Sequence, residues 1–361
     1  MPVVLPRLRL RRSRKGVSAF APRSAVADRL SDFTGPRDDP GNLGARFYLP
    51  AGTAAGAPLV VVLHGCTQDA AVYDHGAGWS ALADRLGFAL LFPEQRRANN
   101  PLLCFNWFEP GDAARGKGEA ASIAAMIEAF ARAHALDRKR VFVTGLSAGG
   151  AMASVMLAAY PELFAAGAIL AGVPFGCADG VAEAFDCMGG RSRSSGAGLA
   201  QAVRSASPHR GGWPRVQVWQ GEADRTVVPA NADAIVRQWT ALHGLGTTPD
   251  HTDAVEGHSR RRWLGRSGEA LVEHVAIAGM GHGVPLAGGE DALGNAGAHM
   301  LDVGLSSTQL IAEFFGIAAP NAARKTGAPV EAAPAPRAAA SRGGGPQAVI
   351  ETALRAAGLM R

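Results

Sequence analysis

The sequence predicts an α/β protein with a mostly parallel central sheet and helices on both faces. Three observations carry that expectation. Leu59-Val60-Val61-Val62-Leu63, Phe88 to Pro93 and Val141-Phe142-Val143 are continuous apolar runs of strand length, as strands covered on both faces must be. Between them lie segments with apolar residues at helical spacing: Trp79, Leu82, Ala83 and Leu86, then Ile123, Met126, Ile127 and Phe130. The third run ends in Gly145-Leu146-Ser147-Ala148-Gly149 and passes directly into an alanine-rich, helix-favouring segment, which reads as strand, sharp turn, helix.

Length and composition narrow the function classes. A chain of 361 residues with 47% apolar and 19% charged residues can bury a sizeable core. The net charge of +5 owes much to Arg7, Arg9, Arg11, Arg12, Arg14 and Lys15, a cluster without interleaved aromatics, so it reads as a solvated arm and not as a nucleic-acid-binding face. No run approaches the ~18 apolar residues of a membrane span. Met1 to Pro22 holds no apolar core of ~7–15 residues, so no secretory signal is readable. The four cysteines fall as two pairs along the chain, Cys66 with Cys104 and Cys177 with Cys187, an even count compatible with two disulfides and equally with buried thiols. Neither zinc-ligand spacing nor a phosphate-cradling glycine loop occurs, so no metal or cofactor is expected.

In chain order, residues 1–38 read as a poorly ordered basic arm with a short helix near Ala25 to Asp32. Alternation from Leu43 to Pro50 predicts an antiparallel first strand. The strand ending at Leu63 leads into His64-Gly65-Cys66, at the sheet end where open α/β folds place ligands. Glu94 to Gly118 is loop-like and carries Asn106-Trp107-Phe108, aromatics suited to a substrate wall or to plugging the loop onto the core. After the turn at Ser147, Ala166 to Gly172 reads as a strand. Residues 173–212, rich in Gly, Ser and Arg, read as an insertion capping the site. Val216 to Gly221 is a strand, Ala230 to Leu242 a helix, Val272 to Ile277 a last strand and Leu305 to Ile317 a closing helix. The domain proper thus spans 39–318. Residues 319–345 are an Ala/Pro/Gly-rich linker, and 346–361 form a short amphipathic helix that is marginal alone and should dock somewhere.

The chemistry is concentrated at three strand ends. Glycines two before and two after Ser147 remove the Cβ atoms that would collide in so tight a reversal, leaving the hydroxyl at the tip. Asp224 follows the strand at 216–221, with Glu222 as its rival. His282 follows the strand at 272–277, between Gly281 and Gly283. The order Ser147, Asp224, His282 is that of nucleophile, acid and base in this architecture. His282 would take the serine proton and return it to the leaving group, with Asp224 fixing its tautomer. The amides of Cys66 and Ala148 are the candidate oxyanion donors.

Taken together, Leu63-His64-Gly65-Cys66-Thr67-Gln68, Asn106-Trp107-Phe108, Gly145 to Gly150, Gly221-Glu222-Ala223-Asp224 and Gly279-Met280-Gly281-His282 resemble the polyhydroxybutyrate depolymerase family of esterases. That family stands beside feruloyl and acetyl-xylan esterases in the α/β-hydrolase fold, and the resemblance covers roughly residues 42–317. It implies hydrolysis of ester bonds in 3-hydroxyalkanoate polyesters or oligomers. Residue by residue it implies Ser147 as nucleophile, Asp224 as acid, His282 as base, and Cys66 and Ala148 as oxyanion donors; His64, Trp107 and Phe108 are the candidate substrate contacts. Members are often secreted, which implies an extracellular or periplasmic location and a Cys66–Cys104 bridge. Two readings compete: a feruloyl or acetyl-xylan esterase, and a scaffold that binds polymer granules or a partner through residues 346–361.

Overall fold

The computed structural model describes residues 28–191, 196–289, 292–321 and 326–327. Its strands are β1 (Ser31–Asp32), β2 (Gly44–Tyr48), β3 (Leu59–Leu63), β4 (Ala89–Glu94), β5 (Val141–Leu146), β6 (Ala166–Leu170), β7 (Arg215–Gly221), β8 (His251–Val255), β9 (His258–Leu264), β10 (Ala270–Ile277), β11 (Val284–Leu286), β12 (Met300–Asp302) and β13 (Thr326–Gly327). Its helices are α1 (Ala70–Ala77), α2 (Trp79–Leu86), α3 (Gly118–Ala133), α4 (Ala148–Ala159), α5 (Val181–Met188), α6 (Gly196–Ala206), α7 (Ala230–His243) and α8 (Ser307–Phe315).

One sheet runs in the order β1-β2-β4-β3-β5-β6-β7-β10-β9-β8-β13. Its middle, from β4 through β3, β5, β6 and β7 to β10, is parallel, and both flanks are antiparallel. Side chains of β3 alternate between two cores as the pleat requires. Leu59, Val61 and Leu63 pack with Ile123, Met152 and Ile235 of α3, α4 and α7. Val60 and Val62 pack with Trp79 and Leu310 of α2 and α8. Both faces are therefore covered, which is why this strand carries no polar residue. No helix among the described residues is long and apolar enough to cross a membrane.

At the end of β5 the chain reverses through Ser147, whose φ of 58° and ψ of −118° lie outside the helical and extended regions. Such backbone strain is of order 1–3 kcal/mol and persists only where surrounding structure imposes it. Here α4 is pressed against β3: a Cβ on Gly149 would stand 2.2 Å from the Leu63 carbonyl oxygen and 2.5 Å from that of His64. A Cβ on Gly145 would meet the Gly149 backbone at 2.5 Å. Gly149→Ala should accordingly cost about 2 kcal/mol or more by overpacking against main chain that has no room to yield, read as a lowered urea midpoint at unchanged slope.

Several expectations need correction. Residues 28–38 belong to the fold and not to a poorly ordered arm: Leu30 is buried, and Arg29 bonds Tyr48 Oη at 2.7 Å and pairs with Asp84. Ser31–Asp32 pairs with β2 as a strand where a helix was expected; residues 25–27 lie outside the described residues. Helix α1 is signalled only by its cap, Asp69, which accepts from the Val72 amide at 2.9 Å. The strand at 272–277 is not the last, since β11 and β12 follow it. The hairpin β8–β9 is hidden in sequence because its polar positions are satisfied across the pair, with Asp253 held by Arg260 at 2.8 Å and Arg262 at 2.9 Å. Residues 346–361, read as a helix, lie outside the described residues, as does most of the linker before them; Thr326–Gly327 within it pairs with β8.

The segment 173–212 divides into two parts with different jobs. α6 turns inward: Leu199, Ala200 and Val203 are buried, and Gln238 of α7 donates to the Leu199 carbonyl at 3.0 Å. Among the described residues of the segment, α5 and Val173 stand over the rim of the sheet at the end of β5.

Candidate active site

The parallel strands deliver the three predicted side chains to one rim. Main-chain bonds step across it: the Ser147 amide to the Leu170 carbonyl at 2.9 Å, the Ala171 amide to that of Trp219 at 2.9 Å, and the Ala223 amide to that of Met280 at 2.9 Å. The loop 279–283 is drawn over the end of β7 so closely that a Cβ on Gly221 would lie 2.4 Å from the Met280 carbonyl oxygen. Asp224 and His282 meet beneath it.

Asp224 is buried, and four donors converge on its carboxylate. Oδ1 accepts from the Thr226 and Val227 amides at 2.8 and 3.0 Å, and Oδ2 accepts from Gln220 Nε2 at 3.2 Å and from His282 Nδ1 at 2.7 Å. Because a carboxylate held by donors can only accept, the His282 proton sits on Nδ1 and leaves the Nε2 lone pair free. The rival Glu222 is exposed. The Ser147 hydroxyl is not hydrogen-bonded to His282 in this structure, so the side-chain contacts join His282 to Asp224 and stop short of Ser147.

Ser147 lines a cavity of about 160 Å³. Cys66 and Ala148 lie in the same wall, and neither amide donates to another described residue. The turn that presents Cys66 is shaped by Gln68, whose Oε1 accepts from the Gly65 amide at 2.9 Å, and by the Thr67 amide bonded to the Leu102 carbonyl at 2.6 Å. Trp107 and Phe108 reach the cavity as an edge-to-face pair with centroids 5.3 Å apart. The stripe Val181, Ala184, Phe185 and Met188 of α5 also lines the cavity, together with Val173 and Val227. Spacing of three and four residues was the sequence signal for this wall; it goes unnoticed because glycine- and arginine-rich chain surrounds so short a stripe.

Both cysteine pairs are disulfides, Cys66–Cys104 and Cys177–Cys187. The first ties the turn at Cys66 to the loop leading to Trp107, and the second anchors α5. Each therefore fixes one side of the cavity.

His64 does not reach the cavity, contrary to expectation. Its ring is buried at the C-terminal end of β3, donating from Nδ1 to the Gly65 carbonyl at 2.8 Å and accepting at Nε2 from the Gln95 amide at 3.1 Å. Burial pulls its pKa down to about 4, so it is neutral and structural. Beside it, Glu119 is buried, bonds Gln95, and accepts from the Asn106 amide at 2.8 Å, pinning the loop that carries Trp107. Burial lifts its pKa from 4.5 to about 8 against the pull of those two donors. Between these values the folded state keeps a proton that the unfolded chain has released, so this contribution to stability is complete below pH 4.5 and lost as pH rises through 8. Glu119→Gln should flatten the fall in unfolding free energy between pH 5 and 8.5, followed by urea titration at each pH.

Among the described residues no group of His, Cys, Asp or Glu could hold a metal ion. What the rim offers is a strained hydroxyl at a helix N-terminus, an imidazole with its acceptor nitrogen available, a buried carboxylate and an apolar slot: the parts of acyl transfer through a covalent intermediate.

Comparison with known proteins agrees. Residues 43–262 match the family described as esterase PHB depolymerase. The poly(3-hydroxyalkanoate) depolymerase C of Paucimonas lemoignei is 45% identical over 282 residues, covering 77% of this chain and 68% of that one. The acetylxylan esterase A of Aspergillus oryzae is 30% identical over 283 residues, 76% of this chain and 89% of its own. Among solved structures, the acetyl xylan esterase from Aspergillus awamori superposes with a TM-score of 0.68 at 25% identity, covering 80% of this chain and 99% of that one. The family match ends before His282, whose place rests on its bond to Asp224. With an α/β-hydrolase sheet beneath the site and the family spanning most of that sheet, the chain belongs to the esterase PHB depolymerase family and is a hydrolase acting on ester bonds.

Proposed function

We propose that the protein hydrolyses 3-hydroxyalkanoate polyesters or their oligomers through an acyl-enzyme on Ser147. The observation that carries the reading is the Asp224–His282 bond of 2.7 Å on the rim where Ser147 opens into an apolar cavity. When an ester enters, Ser147 Oγ closes onto His282 Nε2, a contact that in serine hydrolases commonly tightens only in the complex. Oγ attacks the carbonyl carbon as Nε2 takes its proton, and the resulting oxyanion is held by the amides of Cys66 and Ala148. The C–O bond to the alcohol breaks as Nε2 protonates the leaving oxygen. Water then repeats the sequence against the acyl-serine, releasing the acid and restoring the hydroxyl. Throughout, Asp224 stabilises the imidazolium without taking its proton.

The substrate class rests on two supports: the 45% identity to a poly(3-hydroxyalkanoate) depolymerase, and a slot walled by Val, Phe, Met and Trp side chains that suits short aliphatic acyl units. The acetylxylan esterase relatives motivate a second reading, acetyl or feruloyl ester hydrolysis. Hydrolysis of a polyhydroxybutyrate suspension and of 3-hydroxybutyrate oligomers, set against acetylated xylan and methyl ferulate, separates the two; faster turnover of the acetylated xylan and the methyl ferulate would reverse the assignment. Two disulfides framing the cavity support work in an oxidising, extracellular or periplasmic setting. Polymer-granule contact through residues 346–361 is part of the same reading and is tested by deleting them and measuring adsorption to granules.

A further inference from the structure

A second histidine stands against His282. The strand β11 begins two residues after His282, and β12 begins one residue after His299. The two strands pair in parallel with Val284 opposite Met300, so the small sheet brings the two rings side by side. Their centroids are 5.8 Å apart with planes at 80°. His299 Nδ1 lies 3.2 Å from the His282 carbonyl oxygen; that oxygen can only accept, so Nδ1 carries the proton and donates. The His299 carbonyl in turn accepts from the Val284 amide at 2.8 Å. The main chain on both sides of Gly283, directly after His282, is thereby clamped by one residue.

His299 adopts φ of 60°, a left-handed conformation that is strained for a residue bearing a side chain. A glycine would hold this turn without that strain, so the imidazole is kept against the backbone's preference. Burial, and the neighbouring His282, hold its pKa below the ordinary histidine range, which leaves it neutral with a single N–H to donate near pH 7.

We propose that His299 is a positioning residue for ester hydrolysis: its Nδ1–H bond to the His282 carbonyl and its ring contact fix the rotation that points His282 Nε2 at Ser147. The inference rests on His282 being the general base. Misplacing a reacting group by about 1 Å costs on the order of 10²-fold in rate, so the effect falls on kcat, with KM little changed because His299 does not line the substrate cavity.

Three substitutions separate the bond from the backbone. His299→Gly keeps the left-handed turn and loses the donor. His299→Asn keeps both, since asparagine tolerates φ near +60° and its Nδ2 falls close to the place of Nδ1. His299→Ala loses both. With p-nitrophenyl butyrate as substrate, and rates taken per active site titrated with a fluorophosphonate so that unfolded molecules are not counted, His299→Gly should lower kcat by about 10²-fold and His299→Asn should recover most of it. His299→Ala should be as slow as the glycine variant and melt lower. A glycine variant at the parent rate, or an asparagine variant as slow as glycine, overturns the proposal. His282→Ala is run beside them: if it retains turnover, the reading of His282 itself fails, whereas an inactive His282→Ala with a fully active His299→Gly refutes only the role of His299.

Discussion

Ser147→Ala should lower kcat for p-nitrophenyl butyrate by up to about 10⁶, with folding intact. The loss is this large because the other parts act only through the hydroxyl: His282 has no proton to take without it, and the oxyanion donors have no tetrahedral adduct to hold. Folding should survive because the side chain makes no hydrogen bond to the described residues, and because alanine at a φ of 58° bears strain comparable to that already borne by serine. Equal melting temperatures beside a collapsed kcat would place the effect in chemistry; unchanged turnover would remove Ser147 from the mechanism.

Asp224→Asn is expected to lower kcat by about 10⁴ while preserving shape. The reason lies in the four donors around the carboxylate. An asparagine can keep its oxygen under the Thr226 and Val227 amides, but its amide nitrogen then faces Gln220 Nε2 and His282 Nδ1, both of which donate in the parent. To avoid two opposed N–H groups, His282 must move its proton from Nδ1 to Nε2. That tautomer presents a hydrogen, not a lone pair, to Ser147 and cannot act as base. Raising the pH should restore little, since the tautomer is set by the hydrogen bond and not by the net protonation of the ring. A variant with Asp224→Asn at near-parent kcat would point to another acid, and the exposed Glu222 offers no comparable set of donors.

What the sequence made legible follows from what each residue has to satisfy. β3 and β5 were readable because both faces of each strand are buried, and burial on both faces leaves no alternative to an apolar run. The turn at Ser147 was readable because a Cβ on Gly145 or Gly149 would fall under 3 Å from the main chain packed against it, a requirement local enough to show as a motif. The pairing of Asp224 with His282 could be expected from chain order, since successive parallel strands deposit their C-terminal residues on one rim.

The failures have equally physical causes. β9 carries three consecutive arginines, and only the carboxylates of Asp253 and Asp233, supplied from other elements, make such a strand tolerable. His64 occupies a strand end where ligands are usually met, but its rotamer follows from the Gln95 amide 31 residues away, a partner no local pattern reveals. His299 belongs to no motif at all; it is placed by a parallel pairing between two three-residue strands. Sequence patterns thus reported the sheet and the strand-end residues, while the side chains that shape and steady the site depended on contacts between distant segments.

The central claim is that one serine, activated by His282 and Asp224, carries the acyl group. Its most direct test is labelling of the parent protein with a fluorophosphonate, followed by mass spectrometric mapping of the adduct. The account predicts one phosphonylated residue, Ser147, formed in proportion to loss of esterase activity and far more slowly in His282→Ala. An adduct on any other residue that accompanies full inactivation, or full inactivation with Ser147 unmodified, would contradict it.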